Sequence, residues 1–209
     1  MPRTLLLTIA CTLSLAASAQ MTPRSILTTV PESVMITPGR DVVLDLIDYH
    51  DAGVSRAQPN DFGEDAMITA MTDSLVTIAT GAAHDITFAI LPYGKQQIIM
   101  AIDRVATPDK DARISFYSSK WEPFETARLL PVPTLSDWIV RDADGRRQDI
   151  ENALPFLMVD AQYDPTAMTL TLSPQLGDYI SLENKDLASS SLLRSLTYRW
   201  TGKKFKPVR

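Results

Sequence analysis

Cysteine is almost missing from this chain of 209 residues: Cys11 is the single one, and it stands inside the apolar opening run. Once residues 1–19 leave as a leader, no disulfide, thiol nucleophile or cysteine metal site remains. Histidine is nearly as scarce, with His50 and His84 far apart and on different expected elements. Glycine is limited to 8 residues, none arranged as Gly-x-Gly-x-x-Gly, which excludes the usual phosphate-cradling loops. A Gly-x-Ser-x-Gly elbow, a penicillin-binding Ser-x-x-Lys set and a His-Glu-x-x-His helix are all missing too. Clustered positive charge is confined to Lys203, Lys204, Lys206 and Arg209, and the net charge is −5. A mildly acidic chain is not expected to bind nucleic acid, because phosphate recognition rests on grouped Lys and Arg.

What is present begins at the first residue. Met1-Pro2-Arg3, the apolar run Thr4 to Leu15 and then Ala16-Ala17-Ser18-Ala19 make the three parts of a secretory signal peptide, with cleavage expected before Gln20. The run is too short to remain as a membrane span, which takes roughly 20 apolar residues. Lipidation at Cys11 is the rival reading. It is disfavoured because only Leu5 to Ala10 precede the cysteine and Thr8 takes the place of an aliphatic residue. The expectation is therefore one exported domain, residues 20–209, in the periplasm or at the cell surface and not membrane-spanning. Its length allows a core that needs no staples.

Along that domain, Thr37 to Asp51 reads as a helix, with Thr37 as cap, Pro38 in the first turn and Gly53 at the end. Glu64–Met71 is ambiguous. Ser74–Thr80, His84–Leu91, Lys95–Ala106 and Arg113–Ser118 alternate as strands joined by Gly81-Ala82-Ala83 and Pro92-Tyr93-Gly94. Pro123 to Pro133 interrupts them. Thr134-Leu135-Ser136-Asp137-Trp138 looks like a capped helix start, and Asp149–Leu154 a short helix. Strands resume at Pro155–Tyr163 and Met168–Ser173, the latter with Met168, Leu170 and Leu172 expected inward. After a loose polar stretch, Glu183–Ser191, Leu193–Trp200 and Lys204–Val208 form a hairpin around Thr201-Gly202. The fold class is α+β: mainly antiparallel sheet with flanking helices, apolar on one face and wet on the other. Ile114-Ser115-Phe116-Tyr117 with Trp121 and Phe124 rhymes with Leu196–Trp200 and Phe205, which leaves open two tandem pseudo-repeats at about 28–128 and 129–209.

Pro31-Glu32-Ser33-Val34-Met35, then Arg40-Asp41 and Leu46-Ile47-Asp48-Tyr49, resembles the opening of a family of exported Bacteroidales proteins known only as a domain of unknown function. Ile114–Tyr117 with Trp121, and Tyr198-Arg199-Trp200-Thr201-Gly202-Lys203-Lys204-Phe205, are similar to its later landmarks. The resemblance implies an envelope or exported location. It brings no catalytic residue, cofactor or metal.

Candidate sites are few. Tyr117, Trp121, Phe124 and Trp200 are the ligand-binding candidates, since exposed aromatic faces stack on sugar rings; cross-strand packing is the competing use. Asp41, Asp45, Asp48 and Asp51 with His50 have the spacing of a solvated helix face. Asp142-Ala143-Asp144-Gly145 with Glu151 partly overlays a calcium loop, but Val140 holds the first ligand position and Arg146 and Arg147 intrude. His84 beside Asp85 reads as a surface turn pair. The expected function is a non-catalytic binding or assembly module for an envelope protein, glycan or lipid, without cofactor or metal. The alternatives are an exported hydrolase with paired carboxylates 5–10 Å apart in a pocket, or a lipid carrier with an empty apolar cavity.

Overall fold

The computed structural model of the chain describes residues 20–208. The expected leader, Cys11 and Arg209 lie outside the described residues. Two short helices come first: α1 (Pro23–Thr29) and α2 (Arg40–Asp51). α1 begins at a capping box, in which Thr22 and Ser25 each bond the other's backbone N–H. It buries Ile26 and Leu27, and α2 buries Val43, Leu46 and Ile47. α2 starts later than expected: Gly39, not Thr37, is its cap, and the Thr37 hydroxyl donates to Asp61 instead. Gly53 does close it, at a φ of +69° that favours glycine.

Seven strands follow as one antiparallel meander: β1 (Gln58–Pro59), β2 (Asp65–Met71), β3 (Leu75–Gly81), β4 (His84–Tyr93), β5 (Gln96–Val105), β6 (Asp111–Tyr117) and β7 (Pro123–Phe124). The ambiguous stretch is thus a strand, and the Pro-rich segment still supplies a two-residue edge strand. α3 (Thr126–Leu129), α4 (Leu135–Trp138), a 3₁₀ turn (Arg141–Arg146) and α5 (Arg147–Ala153) lead to a second antiparallel sheet. Its strands are β8 (Met158–Asp164), β9 (Thr169–Gln175), β10 (Leu196–Trp200) and β11 (Phe205–Pro207), in order β11-β10-β9-β8. Thr134 and Asp137 form the expected capping box of α4. The fold is α+β, and the position near 128 where two halves were expected to meet falls inside α3.

Three expectations are corrected. The polar stretch Glu183–Ser191 is helix α6 (Leu182–Ser191), capped by Ser181 and anchored by buried Ala188 and Ser191. Met168 does not point inward: it is exposed in a turn at φ +50°, where Asp164 accepts the N–H groups of Thr166 and Ala167. Most consequential, the large sheet does not wet one face. Along β4, Ile86, Phe88 and Ile90 enter one core with α1 and α2, while Ala89 and Leu91 enter a second core with β8–β11 and α4–α6. β5 does the same, with Ile99 and Ala101 on the helix side and Ile98, Met100 and Ile102 on the other. Strands covered on both faces carry continuous apolar runs, and Ile98-Ile99-Met100-Ala101-Ile102 is one.

The layers are joined at named points. The Trp200 Nε1–H donates to the Pro92 carbonyl at 2.7 Å, and Phe205 packs against Phe116, Tyr163 and Trp200. Arg104 of β5 bonds both oxygens of Asp85 at 2.9 and 3.0 Å and reaches Asp160 of β8 at 3.3 Å. The guanidinium and the buried Asp160 carboxylate thus offset one another's desolvation between the two sheets.

Phe88 is fully buried between strand and helices, whereas Phe62 is 72% exposed. Phe88→Ala is expected to lower unfolding free energy by about 3–5 kcal/mol, and Phe62→Ala by less than about 0.5 kcal/mol. Urea titration of the two variants checks this; equal effects would contradict the two-faced burial.

Candidate functional site

The four aromatic candidates do not converge. Trp121 stands edge-on to Phe88 at 5.7 Å and beside Tyr117 at 5.6 Å, and its Nε1–H donates to the Thr29 hydroxyl of α1 at 3.2 Å. Its φ of +64° is unusual for a bulky residue. The Ser118–Glu122 turn holds it there through a 3.0 Å bond from the Trp121 N–H to the Ser118 carbonyl. Phe124 packs with Tyr93 at 5.9 Å on the opposite side of the sheet, and Tyr93 lies 6.4 Å from Trp200. Trp200 is 2% exposed, so it presents no face to solvent. Tyr117, Trp121 and Phe124 are half-buried.

The charged candidates stay dispersed. Asp41, Asp45, Asp48 and Asp51 are exposed along α2, and Asp51 pairs with Arg24. Asp142 and Asp144 sit in the 3₁₀ turn, where Asp144 is taken by Arg147 at 2.6 Å. Among the described residues, no three or more His, Cys, Asp or Glu side chains gather as a metal site. Lys203, Lys204 and Lys206 are exposed.

His84 is different, and its partner is not Asp85. Neighbouring residues of a strand face opposite sides. Asp85 therefore turns to Arg104, while His84 meets Asp103 of β5 across the helix-side face. The His84 Nε2–Asp103 Oδ1 distance is 2.7 Å, Arg113 of β6 holds Asp103 Oδ2 at 2.7 Å, and the Thr80 hydroxyl shares a hydrogen bond with His84 Nδ1. A hydroxyl, an imidazole and a carboxylate in sequence resemble a nucleophilic relay. The details argue otherwise. Thr80 is 2% exposed, so its hydroxyl is closed to any substrate. The imidazole is held between that hydroxyl and the Asp103 carboxylate, an arrangement that serves an ion pair within the sheet. The hydrogen bond to Asp103 raises the His84 pKa above its ordinary value, with burial opposing. The same bond, with help from Arg113, lowers Asp103. The cluster clasps β3, β4, β5 and β6 together.

Two concave surfaces lie at the ends of α2; another, about 380 Å³, lies between β6 and the second sheet. The larger of the α2 pair, about 600 Å³, is formed by the end of α1, the segment Val30–Gly39 and the first turn of α2. Val30, Pro31 and Ile36 give it apolar surface over the buried Leu27, Met35 and Val43, and Glu32, Arg40 and Asp61 line it with charge. Asp61 stands over the uncapped start of α2: a Cβ at Gly39 would meet its carboxylate at 3.2 Å. A carboxylate there complements the helix amides. The Thr28 and Thr29 hydroxyls of this cleft are committed to α1 carbonyls. Glu32 and Arg40 line one cleft without bridging each other, and among the described residues neither has an ion-pair partner. Spacing alone did not single out these residues, since they come together only by folding. The smaller cleft, about 350 Å³, lies between the end of α2, residues 53–56 and β2.

A family model described as "Protein of unknown function (DUF3256)" matches residues 14–205. Among solved structures, a domain of an uncharacterized protein from Porphyromonas gingivalis W83 is similar with a TM-score of 0.76. It has 22% sequence identity and covers 88% of this chain and 96% of that one, a likeness of fold. No curated protein matches the chain.

The His84 and Asp103 shifts predict how stability follows pH. A raised histidine stabilises fully below its ordinary value of 6.5 and loses that contribution as pH rises through the folded value. A lowered carboxylate stabilises fully above 3.8 and loses its contribution as pH falls through the folded value. The pair is therefore strongest between pH 3.8 and 6.5. In thermal melts, the stability advantage of the native chain over His84→Gln is expected to shrink as pH rises from about 6 to 9. An advantage that stays constant with pH would refute the ion pair.

Proposed function

We propose, for a chain that belongs to the DUF3256 family of proteins of unknown function, a non-catalytic binding module whose ligand enters the cleft at the start of α2. The signal-peptide pattern of residues 1–19 supports export to the periplasm or cell surface, in line with the exported Bacteroidales proteins its landmarks resemble. The observation that carries the binding reading is the cleft's make-up: apolar surface beside Glu32 and Arg40, which do not bridge each other and among the described residues have no ion-pair partner. Its volume is that of a small-ligand site, and such sites combine apolar lining with a few oriented polar groups. Opposite charges lining one cleft without bridging each other fit a zwitterion. Glu32 receives an amine, Arg40 a carboxylate by its paired N–H groups, and Val30, Pro31 and the exposed Ile36 the apolar body. An apolar amino acid or a short peptide with free ends has that chemistry. Because the Thr28 and Thr29 hydroxyls are committed, the cleft offers no activated nucleophile.

A second reading, an exported hydrolase, is favoured by one observation: Glu32 and Asp61 line the same cleft. Two carboxylates are all that glycoside hydrolysis requires. In that case the acids would work on a sugar, and Arg40 would be dispensable.

One experiment separates the two. In calorimetric titrations of leucine and leucyl dipeptides, binding is expected in the native chain, with a loss of at least about tenfold in both Glu32→Gln and Arg40→Gln. Turnover of a polysaccharide panel that is abolished by Glu32→Gln and Asp61→Asn but kept by Arg40→Gln would replace binding with hydrolysis. Absence of both would remove the cleft from consideration.

A further inference from the structure

We propose that the open stretch of β2, Met67–Met71, takes an extended peptide of a partner protein as an added strand, seated between β2 and residues 53–56 with a peptide carboxylate at Arg56. This slot lies at the opposite end of α2 from the charged cleft and does not depend on it.

The case rests on how the sheet edges differ. An edge strand exposes unpaired backbone groups, and proteins usually blunt it with proline, lysine, shortness or a covering group. β7 is two residues long and includes Pro123. β11 ends in Lys206 and Pro207. On β8, the Met158 N–H is taken by the Tyr179 hydroxyl at 3.3 Å, that of Val159 by Asp111 at 3.0 Å and that of Ala161 by the Asp160 side chain at 2.8 Å. Among the described residues no group takes the outer backbone N–H groups of β2 along this stretch; the Ser55 hydroxyl touches only the Met67 sulfur, at 3.6 Å. β1 pairs with Asp65 and Ala66 alone, and Met67-Ile68-Thr69-Ala70-Met71 contains neither charge nor proline.

The space beside it is shaped for a strand. The cleft of about 350 Å³ is lined by all five residues Met67 to Met71 on one side and by Gly53 to Arg56 on the other. Hydrogen-bond alternation fixes which groups face it. On the outer side the Asn60 N–H donates to the Glu64 carbonyl at 2.7 Å, and on the β3 side the Thr72 N–H donates to Leu75 at 2.8 Å. Counting from both ends, with the irregularity between Ile68 and Ala70, directs the backbone groups of Ile68 and Met71 outward. These supply the first ladder bonds for a guest.

The half-buried Ile68 and Met71, above the buried Leu46, offer an apolar floor to side chains of that guest. The charged or titratable groups that line the slot are His50 and Arg56, and the Arg56 guanidinium is parked over the Tyr49 ring at 5.3 Å. The exposed acids Asp45, Asp48 and Asp51 of α2 are not part of the lining. An arginine held in place at the end of a strand-shaped slot complements a carboxylate, from an acidic side chain or a free C-terminus.

The test uses the full exported chain, residues 20–209, and a library of linear heptapeptides with free C-termini. Selection is expected to enrich peptides with apolar or β-branched residues at alternate positions and a carboxylate at one end. Titrated into labelled protein, such a peptide should shift the amide resonances of residues 53–56 and 66–71. Methylating alternate backbone nitrogens of the peptide should cost at least tenfold in affinity, while methylating the intervening ones should not. This arm needs no change in the protein. Arg56→Gln, on the exposed loop, should weaken binding about tenfold, and less once the peptide carboxylate is amidated. No enrichment, shifts confined to other elements, or indifference to methylation would overturn the proposal. So would a dimer in sedimentation that excludes the peptides, which would assign the slot to a second copy.

Discussion

The structure depends on the β4–β5 hairpin being apolar on both faces. These strands pair over ten residues each, from His84 with Val105 to Tyr93 with Gln96. A surface of this kind cannot rest in water on either side, because each large side chain left exposed forfeits about 1.5–3 kcal/mol. Both covering layers are therefore required. α1 and α2 close one face; the second sheet and its helices close the other. The charged groups sit toward one end of the strands, where Arg104 and His84 each find carboxylates on their own face.

The two clefts follow from the same arrangement. A twelve-residue helix is about 18 Å long, whereas a ten-residue strand extends for about 33 Å. α2 covers the centre of its face and leaves ground uncovered beyond each end. At its start the gap is closed by charge, with Asp61 facing the helix amides and Glu32 and Arg40 left over. At its finish the gap opens onto a bare strand. Short helices on a long sheet thus generate concave surface without any special device.

Much of the fold was legible because strand alternation is a local property. β3 to β6 could be read within a residue or two, the final hairpin within three, and the helix start at Thr134 was legible as well. The error over the wet face arose from reading Ile98–Ile102 for its period instead of its unbroken hydrophobicity, which was the available signal for two-sided burial. His84 and Asp85 were paired although adjacent strand residues must diverge. α6 was invisible because it has no apolar stripe; its burial comes from Ala188 and Ser191, small residues that packing selects. α1 was missed because its capping residues precede a very short run. The cleft residues Glu32, Arg40 and Asp61 belong to three separate segments, so only tertiary structure could assemble them. The aromatic residues were visible, but not that Trp121 serves α1 while Trp200 serves the second sheet.

Trp200 binds a carbonyl 108 residues upstream, and Phe205 fills the space between the sheets. Contacts of such long range form late, after the chain between them has been confined. Until the closing hairpin docks, the layer over Leu91, Met100 and Phe116 lacks Tyr198, Trp200 and Phe205. A nascent copy interrupted before that point would hold a greasy, half-built sandwich. The far core therefore stays incomplete until the last strands arrive.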